Sequence, residues 1–345
     1  MEINKSDVRQ IYAQLQDDTS RFLFEKRLMY SLTEDASYIR EIAMAFPEME
    51  PVKAIAAERM DNFIFGAGTY GDIVAHLAPG HFLGILDNNR TKWGGKLGGV
   101  TIVPPETIQS HPDSRVFVAV RVRGKHYQDE IVAQLLKMGI DEKRIVRVDQ
   151  AADRFFAQRT QYFDLPALPH VEDETFVDTG CWDGGTSLDF AGWAGRYRHI
   201  YAFEPDPDRQ EACQSVLGQM KGNTTLLPYG AWDKRTELHF SDYEEKANCI
   251  DANGTICVSV SSIDQELVGE RVTFIKMDIE GSEMQALRGA EQTIRAQRPK
   301  LAISLYHRFE DVIEIPQLIL SFHPDYQLYL RHYTFWDSET VLYAI

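Results

Sequence analysis

Apolar residues recur near helical spacing through the first 57 residues. Ile11, Leu15, Phe22, Phe24, Leu28 and Tyr30 form one such stretch, and 37–46 forms another that Pro47 stops. The pattern predicts a helical arm over 1–57 that packs or oligomerises and carries no catalytic grouping. It then changes to short apolar runs divided by glycine turns. NFIFGAGTYG (62–71) reads as a strand entering such a turn, 72–77 as helix, and FLGILDNN (82–89) as a second strand ending in Asp87. VFVAVRVRGKHY (116–127) is a buried strand breaking into a basic loop, 128–138 an amphipathic helix, and 144–148 a last strand. Strands alternating with helices imply a small parallel sheet over 58–150.

A linker over 151–173 contains Pro166, Pro169 and an acidic VEDE. Beyond it the alternation restarts and predicts strands at 176–179, 199–203, 225–227, 272–277 and 300–305. A closing antiparallel pair is expected at 326–331 and 340–345. The fold class is therefore α/β: a Rossmann-like domain over 174–345, a smaller Rossmann-like α/β domain before it, and the helical arm.

Composition narrows the function classes. Hydrophobic residues make up 44% of 345 positions, enough for two cores. No apolar run approaches the roughly 20 residues of a membrane-spanning helix, and MEINKSDVRQ has neither the basic start nor the apolar stretch of a secretory signal. Cys181, Cys213, Cys249 and Cys257 lack metal-type spacing, so reduced structural thiols in a cytoplasmic protein are expected. A formal net charge of −16 disfavours a nucleic-acid partner.

The candidate chemistry starts at VDTGCWDGG (177–185), followed about 20 residues later by YAFEPD (201–206). A strand, a glycine turn, a helix and a second strand ending in an acid form a nucleotide-binding βαβ unit. The turn lacks the three-glycine dinucleotide spacing, which favours S-adenosylmethionine over NAD. The expected cofactor-binding set is Asp178, Gly180, Asp183, Gly184, Glu204, Pro205, Ala231, Trp232 and Asp278. Asp178 would face the methionine part, Glu204 the ribose hydroxyls, and Trp232 with Asp233 the adenine. Each alone is explained as a turn glycine or a capping acid; their order and spacing together point to the donor.

FIKMDIEGSEMQALRGAEQTI (274–294) runs from strand through acidic turn to helix. Lys276, Asp278 and Glu280 alternate as one side of a strand would, and Ser282 or Glu283 can cap the helix. SLYHRFED (304–311) ends the next strand with His307 and Arg308. Neighbouring parallel strands lie about 4.8 Å apart, so His307 and Asp278 can converge. The expected catalytic set is His307, Asp278, Glu280 and Lys276. In the preferred reading His307 is the base, oriented by Asp278, with no metal. The alternative places a divalent ion on Asp278, Glu280 or Glu283, and His307.

VDTGCWDGG, FEPD, FIKMDIEGSE, the LYH and the closing tail resemble the FkbM family of S-adenosylmethionine-dependent methyltransferases over roughly 174–345. The resemblance implies a class I seven-stranded sheet and O-methylation of a hydroxyl on a sugar, glycan precursor or related metabolite. Cys181 and Trp182 depart from the family's turn, and 241–255 looks individual, so the acceptor does not carry over. GAGTYG fits G-x-G-x-x-G, and DNNRTKWGGKLGGVTIVPPETI (87–108) resembles the small domain in front of sugar-modifying enzymes, including acetyltransferases of UDP-amino sugars. A second nucleotide site, for a nucleotide sugar or related phosphate ligand in preference to NAD, is expected at Gly66, Gly68, Gly71, Asp87, Arg121 and Arg123; the alternative is a solvated basic loop on a domain that only scaffolds. The competing readings are an NAD-dependent oxidoreductase or epimerase, which would need a Tyr-x-x-x-Lys pair that does not follow, and a non-catalytic S-adenosylmethionine-binding protein.

Overall fold

Asn4 accepts the Ser6 amide to start α1 (Lys5–Gln14), and Asp17 accepts the Ser20 amide to start α2 (Asp18–Thr33). Glu34 ends α2 in the left-handed region, at φ 55°. α3 (Ser37–Ala45) and α4 (Glu50–Ala56) follow. The computed structural model describes residues 4–77, 81–121, 127–240 and 256–345. They fall into two units: Asp35–Arg159 with Thr334–Trp336, and Met1–Glu34 with Thr160–Tyr333 and Asp337–Ile345. The predicted arm therefore divides, with α1 and α2 in one unit and α3 and α4 in the other.

In the first unit, β1 (Asn62–Phe65), α5 (Thr69–Leu77), β2 (Phe82–Leu86), β3 (Lys96–Leu97), β4 (Val100–Val103), β5 (Arg115–Val118), α6 (Tyr127–Lys137), β6 (Ile145–Arg147) and α7 (Val148–Ala157) succeed one another. They build a six-stranded sheet of order β3-β4-β2-β1-β5-β6, parallel except for the β3–β4 hairpin. That hairpin, turning on Gly98 and Gly99 at positive φ, widens the sheet beyond expectation. Phe63, Phe65, Leu86, Val116, Val118, Ile131 and Leu135 form one core cluster.

The second unit repeats the plan with β7 (Glu174–Thr179), α8 (Gly185–Ala194), β8 (Tyr197–Phe203), α9 (Pro207–Leu217), β9 (Thr224–Leu227), β10 (Gly230–Ala231), β11 (Thr236–Phe240), β12 (Ile256–Ser261) and α10 (Ile263–Glu266). β13 (Phe274–Met277), α11 (Glu283–Arg288), α12 (Glu291–Gln297), β14 (Lys300–Ser304), α13 (Asp311–Phe322), β15 (Leu328–His332) and β16 (Thr340–Ala344) complete it. Seven strands order as β15-β16-β14-β13-β7-β8-β9, with only β16 reversed. Every residue of β7, β13 and β14 is buried, as central parallel strands covered on both faces require. β10, β12 and β11 make a small separate sheet that the hydrophobic pattern did not disclose. Ile11, Leu15, Leu23 and Phe24 bury the apolar faces of α1 and α2 within this unit, where the helices pack on α13 and β15.

Strand order reverses between β7 and β13, and their carboxyl ends define the crevice where open α/β sheets bind ligands. Lys276 pairs in register with Asp178 across that boundary.

Candidate active site

The turn after β7 is shaped by what crosses it. Gly180 sits at φ 74°, and a Cβ there would lie 2.0 Å from the Asp278 carbonyl oxygen. Only glycine lets the β7 turn and the β13 turn pass this closely. Gly184, also at positive φ, starts α8, and Asp183 accepts the Gly185 amide at 2.9 Å, so its carboxylate caps the turn. Glu204, buried at the end of β8, accepts the Trp182 amide at 3.0 Å and the Asp206 amide at 3.0 Å. Burial raises its pKa against the pull of those two amides. Trp182 is exposed, with the Arg209 guanidinium 3.6 Å from its ring centre. Pro205 packs under Gly230, and the Trp232 amide donates to Ser261 O at 2.8 Å, beside buried Ala231.

Lys276, Asp178 and Glu280 of the expected set are placed differently. Lys276 is buried, and its ammonium donates to Gly180 O at 2.9 Å and Thr179 O at 3.2 Å, and pairs with Asp178 at 3.1 Å. It stands behind the β7 turn and is committed to these partners. Burial opposes its charge, but Asp178 and Asp278 outweigh that and raise its pKa. Asp178 is fully buried too, taking Lys276 on one oxygen and the Ser187 hydroxyl on the other at 2.8 Å. Its carboxylate braces the turn from inside.

β13 ends at Met277, so Asp278 and Glu280 belong to a turn and do not alternate on a strand. Glu280 takes φ 55°, and its side chain is 70% exposed. The buried partner is Glu283, at the start of α11. Its Oε1 lies 2.9 Å from His307 Nδ1 and accepts the Ile279 amide at 2.9 Å. Ser282, the other expected cap, makes no side-chain cap bond. His307 Nε2 lies 3.5 Å from Asp278 and 3.6 Å from Glu280. Burial would lower the imidazole pKa, but Glu283, Asp278 and Glu280 outweigh it and push it up to about 9. Nearby Asp311 is pushed up to about 7, first by burial and then by Glu283.

Asp278 is gripped by two residues that sequence reasoning missed. The Tyr162 hydroxyl donates to Oδ2 and the Tyr306 hydroxyl to Oδ1, each at 2.9 Å. Burial raises this carboxyl, but Lys276, His307 and both tyrosines prevail and hold it below the usual range. Glu339, on the β15–β16 connection, accepts from Tyr306 at 3.3 Å and from Gln161 at 2.6 Å. Tyr162 lies in the predicted linker and Glu339 in a loop, and neither has a local pattern. Tyr306, inside the LYH, had a signal in its neighbour His307.

In the first unit, Gly66, Gly68 and Asp87 meet at the carboxyl ends of β1 and β2, with Arg121 beyond β5. Gly71 packs on Gly66 O. Arg123 lies outside the described residues, as does the individual segment 241–255.

Residues 178–335 match the family model described as the methyltransferase FkbM domain. Among solved structures the chain is similar to the methyltransferase FkbM from Methylobacillus flagellatus KT, at 24% identity and a TM-score of 0.50, over 91% of this chain and 100% of that one. It is also similar to fibrillarin from Aeropyrum pernix in complex with natively bound S-adenosyl-L-methionine, at 14% identity and a TM-score of 0.37, over 57% of this chain and 74% of that one. No curated protein matches. Among the described residues no helix is long and apolar enough to cross a membrane. The crossing of the β7 and β13 turns thus lies within the stretch, residues 178–335, that matches the methyltransferase FkbM domain, on the fold of class I S-adenosylmethionine-dependent methyltransferases.

Proposed function

We propose that the chain is an S-adenosylmethionine-dependent O-methyltransferase acting on a hydroxyl of a sugar, a glycan precursor or a related metabolite. The observation that carries the reading is the line Glu283–His307–Asp278 at the crevice beside the donor turn. The donor fits the residues present. A carboxylate has about four lone-pair sites; Glu204 uses two on the Trp182 and Asp206 amides, leaving capacity for a ribose diol. Glu204, Trp182, Gly180 and Gly184 would hold it, with Pro205, Ala231 and Trp232 at the adenine side. Lys276 acts as a positioning residue by holding the turn's carbonyls, and Asp178 by pairing with Lys276. S-adenosylmethionine, when bound, supplies an electrophilic methyl group on its sulfonium.

The chain's part is to place and deprotonate the acceptor. Holding an oxygen in line is worth about 7–11 kcal/mol in well-oriented systems. An aliphatic hydroxyl also needs a base. The Glu283 carboxylate 2.9 Å from Nδ1 favours a proton on that nitrogen by its charge and leaves Nε2 to take the acceptor's proton. Asp278, ionised and held by Tyr162 and Tyr306, then faces the imidazolium and stabilises it. The neutral imidazole is the working form.

A second reading has one observation in its favour. The 2.9 Å contact with Glu283 Oε1 is an ion pair, and among the described residues the His307 ring nitrogens and Glu283 Oε2 are buried without an aligned hydrogen-bond partner. One ligand atom each from Asp278, Glu283 and His307 lies within 4.8 Å of the others. A divalent ion held there would lower the acceptor's pKa directly. Labelled-methyl transfer to a panel of hydroxyl metabolites tests both readings. His307→Ala should lower turnover by about 10²–10⁴, and EDTA should leave the wild type unaffected. Loss of turnover in EDTA, restored by a divalent ion, would favour the metal. Label transferred only to amine or carbon acceptors would contradict O-methylation.

A further inference from the structure

We propose that the unit built on Asp35–Arg159 binds a ribonucleotide, with a free 2′,3′-diol and a phosphate, at its own strand-order reversal. This site is separate from the methyl donor's, and the inference does not depend on the methyl-transfer reading. β1 is flanked by β2 and β5, so the chain winds first to one side and then to the other. The crevice at that switch point holds a cavity of about 500 Å³, within the usual size of small-molecule sites.

The cavity repeats the acid device of the donor site. Asp87, at the end of β2, accepts the Ala67 amide of the glycine turn at 2.8 Å and the Asn89 amide at 2.7 Å. Glu204 accepts the Trp182 amide of its own turn and the amide two residues on, in the same arrangement. Asp87 also accepts Lys92 Nζ at 3.3 Å, so of about four lone-pair sites it keeps one for a vicinal diol where Glu204 keeps two, and a carboxylate there repels a 2′-phosphate.

Three further observations point to a ligand. A Cβ on Gly66 would lie 2.4 Å from Val120 and one on Gly71 2.0 Å from Gly66 O, so packing explains both glycines. A Cβ on Gly68 would meet nothing within 4 Å, so packing does not explain it; a side chain there would enter the cavity. Tyr70, only 8% exposed, lines the same cavity, and its buried hydroxyl interacts with the Arg121 guanidinium. Arg121, also lining it, is held in place by Asp153 at 2.8 Å and by the Phe156 ring 4.4 Å beneath its guanidinium. Among the described residues Asp72 is the first α5 amide with a backbone acceptor, Gly68 O, so the amides of Thr69, Tyr70 and Gly71 before it are open to an outside acceptor. Arg121 and these amides supply the phosphate contacts, and the half-exposed rings of Tyr127 and Trp336 at the rim can stack a base.

Calorimetric titration of the full-length protein with ADP, UDP and GDP tests this, with S-adenosylhomocysteine titrated in parallel. At least one ribonucleotide should bind saturably, and its 2′-deoxy counterpart should bind about tenfold or more weakly. Gly68→Glu, which has room for its Cβ, and Asp87→Asn, which keeps an acceptor for Ala67, should each weaken ribonucleotide binding while S-adenosylhomocysteine binding stays as in the wild type. The proposal is overturned if none of the three nucleotides binds the wild type, if the deoxy form binds equally, or if both variants bind like the wild type.

Discussion

His307 takes its charge from its surroundings. Its folded pKa of about 9 stands above the ordinary 6.5, because Glu283, Asp278 and Glu280 outweigh burial. Turnover that needs the neutral imidazole should therefore rise with pH until about 9. Removing the nearest carboxylate with Glu283→Gln should move that limb to lower pH and reduce the plateau. A profile that is flat from pH 6 to 10 would count against His307 as base. Stability carries the same signature with a defined sign. A pKa raised on folding contributes stability that is complete below pH 6.5 and lost as pH rises through about 9. Urea unfolding should thus show a larger difference between wild type and His307→Gln at pH 6 than at pH 9.5; equal differences would refute the ion pairing.

The turns, more than the strands, decide the site. Gly180→Ala would force a Cβ to within 2.0 Å of a backbone oxygen at a positive φ, whereas Gly68→Ala meets nothing. The first should destabilise by more than about 1 kcal/mol and abolish donor binding; the second should fall within about 0.5 kcal/mol of wild type. Chemical denaturation with a parallel S-adenosylhomocysteine titration checks both, and similar outcomes for the two would contradict the close crossing of turns. Strand periodicity made β7, β8, β13 and β14 legible, because buried parallel strands are continuous apolar runs. The same periodicity misled at Glu280. The run looked like a strand that continued, but β13 stops at Met277, and the turn hands the buried role to Glu283. β10 has two residues, too few for any period to register.

At the scale of the molecule, the order of two α/β units could be read from glycine turns and acid-tipped strands. Which segments join which unit could not, since that depends on contacts hundreds of residues apart. Ser20 on α2 accepts the Leu330 amide, and Arg27 donates to Asp337 O. Tyr162, from the expected linker, reaches Asp278 for the same reason. Phe335 belongs to the first unit, buried against Phe46, Tyr70 and Phe155 at ring separations of 5.2, 5.2 and 4.8 Å. Phe335→Ala should cost about 3–5 kcal/mol. Hydrogen exchange should quicken at β1 and β5 more than at β7 and β13, and equal quickening in both sheets would contradict the assignment.

The central claim is that Glu204 and the turn beside it hold S-adenosylmethionine in a methyltransferase site. Calorimetric titration of the full-length protein with S-adenosylhomocysteine, wild type against Glu204→Ala, tests it most directly. The account predicts saturable binding to the wild type, weakened by about tenfold or more in the variant. Absence of binding to the wild type, or equal affinity in the two proteins, would contradict it.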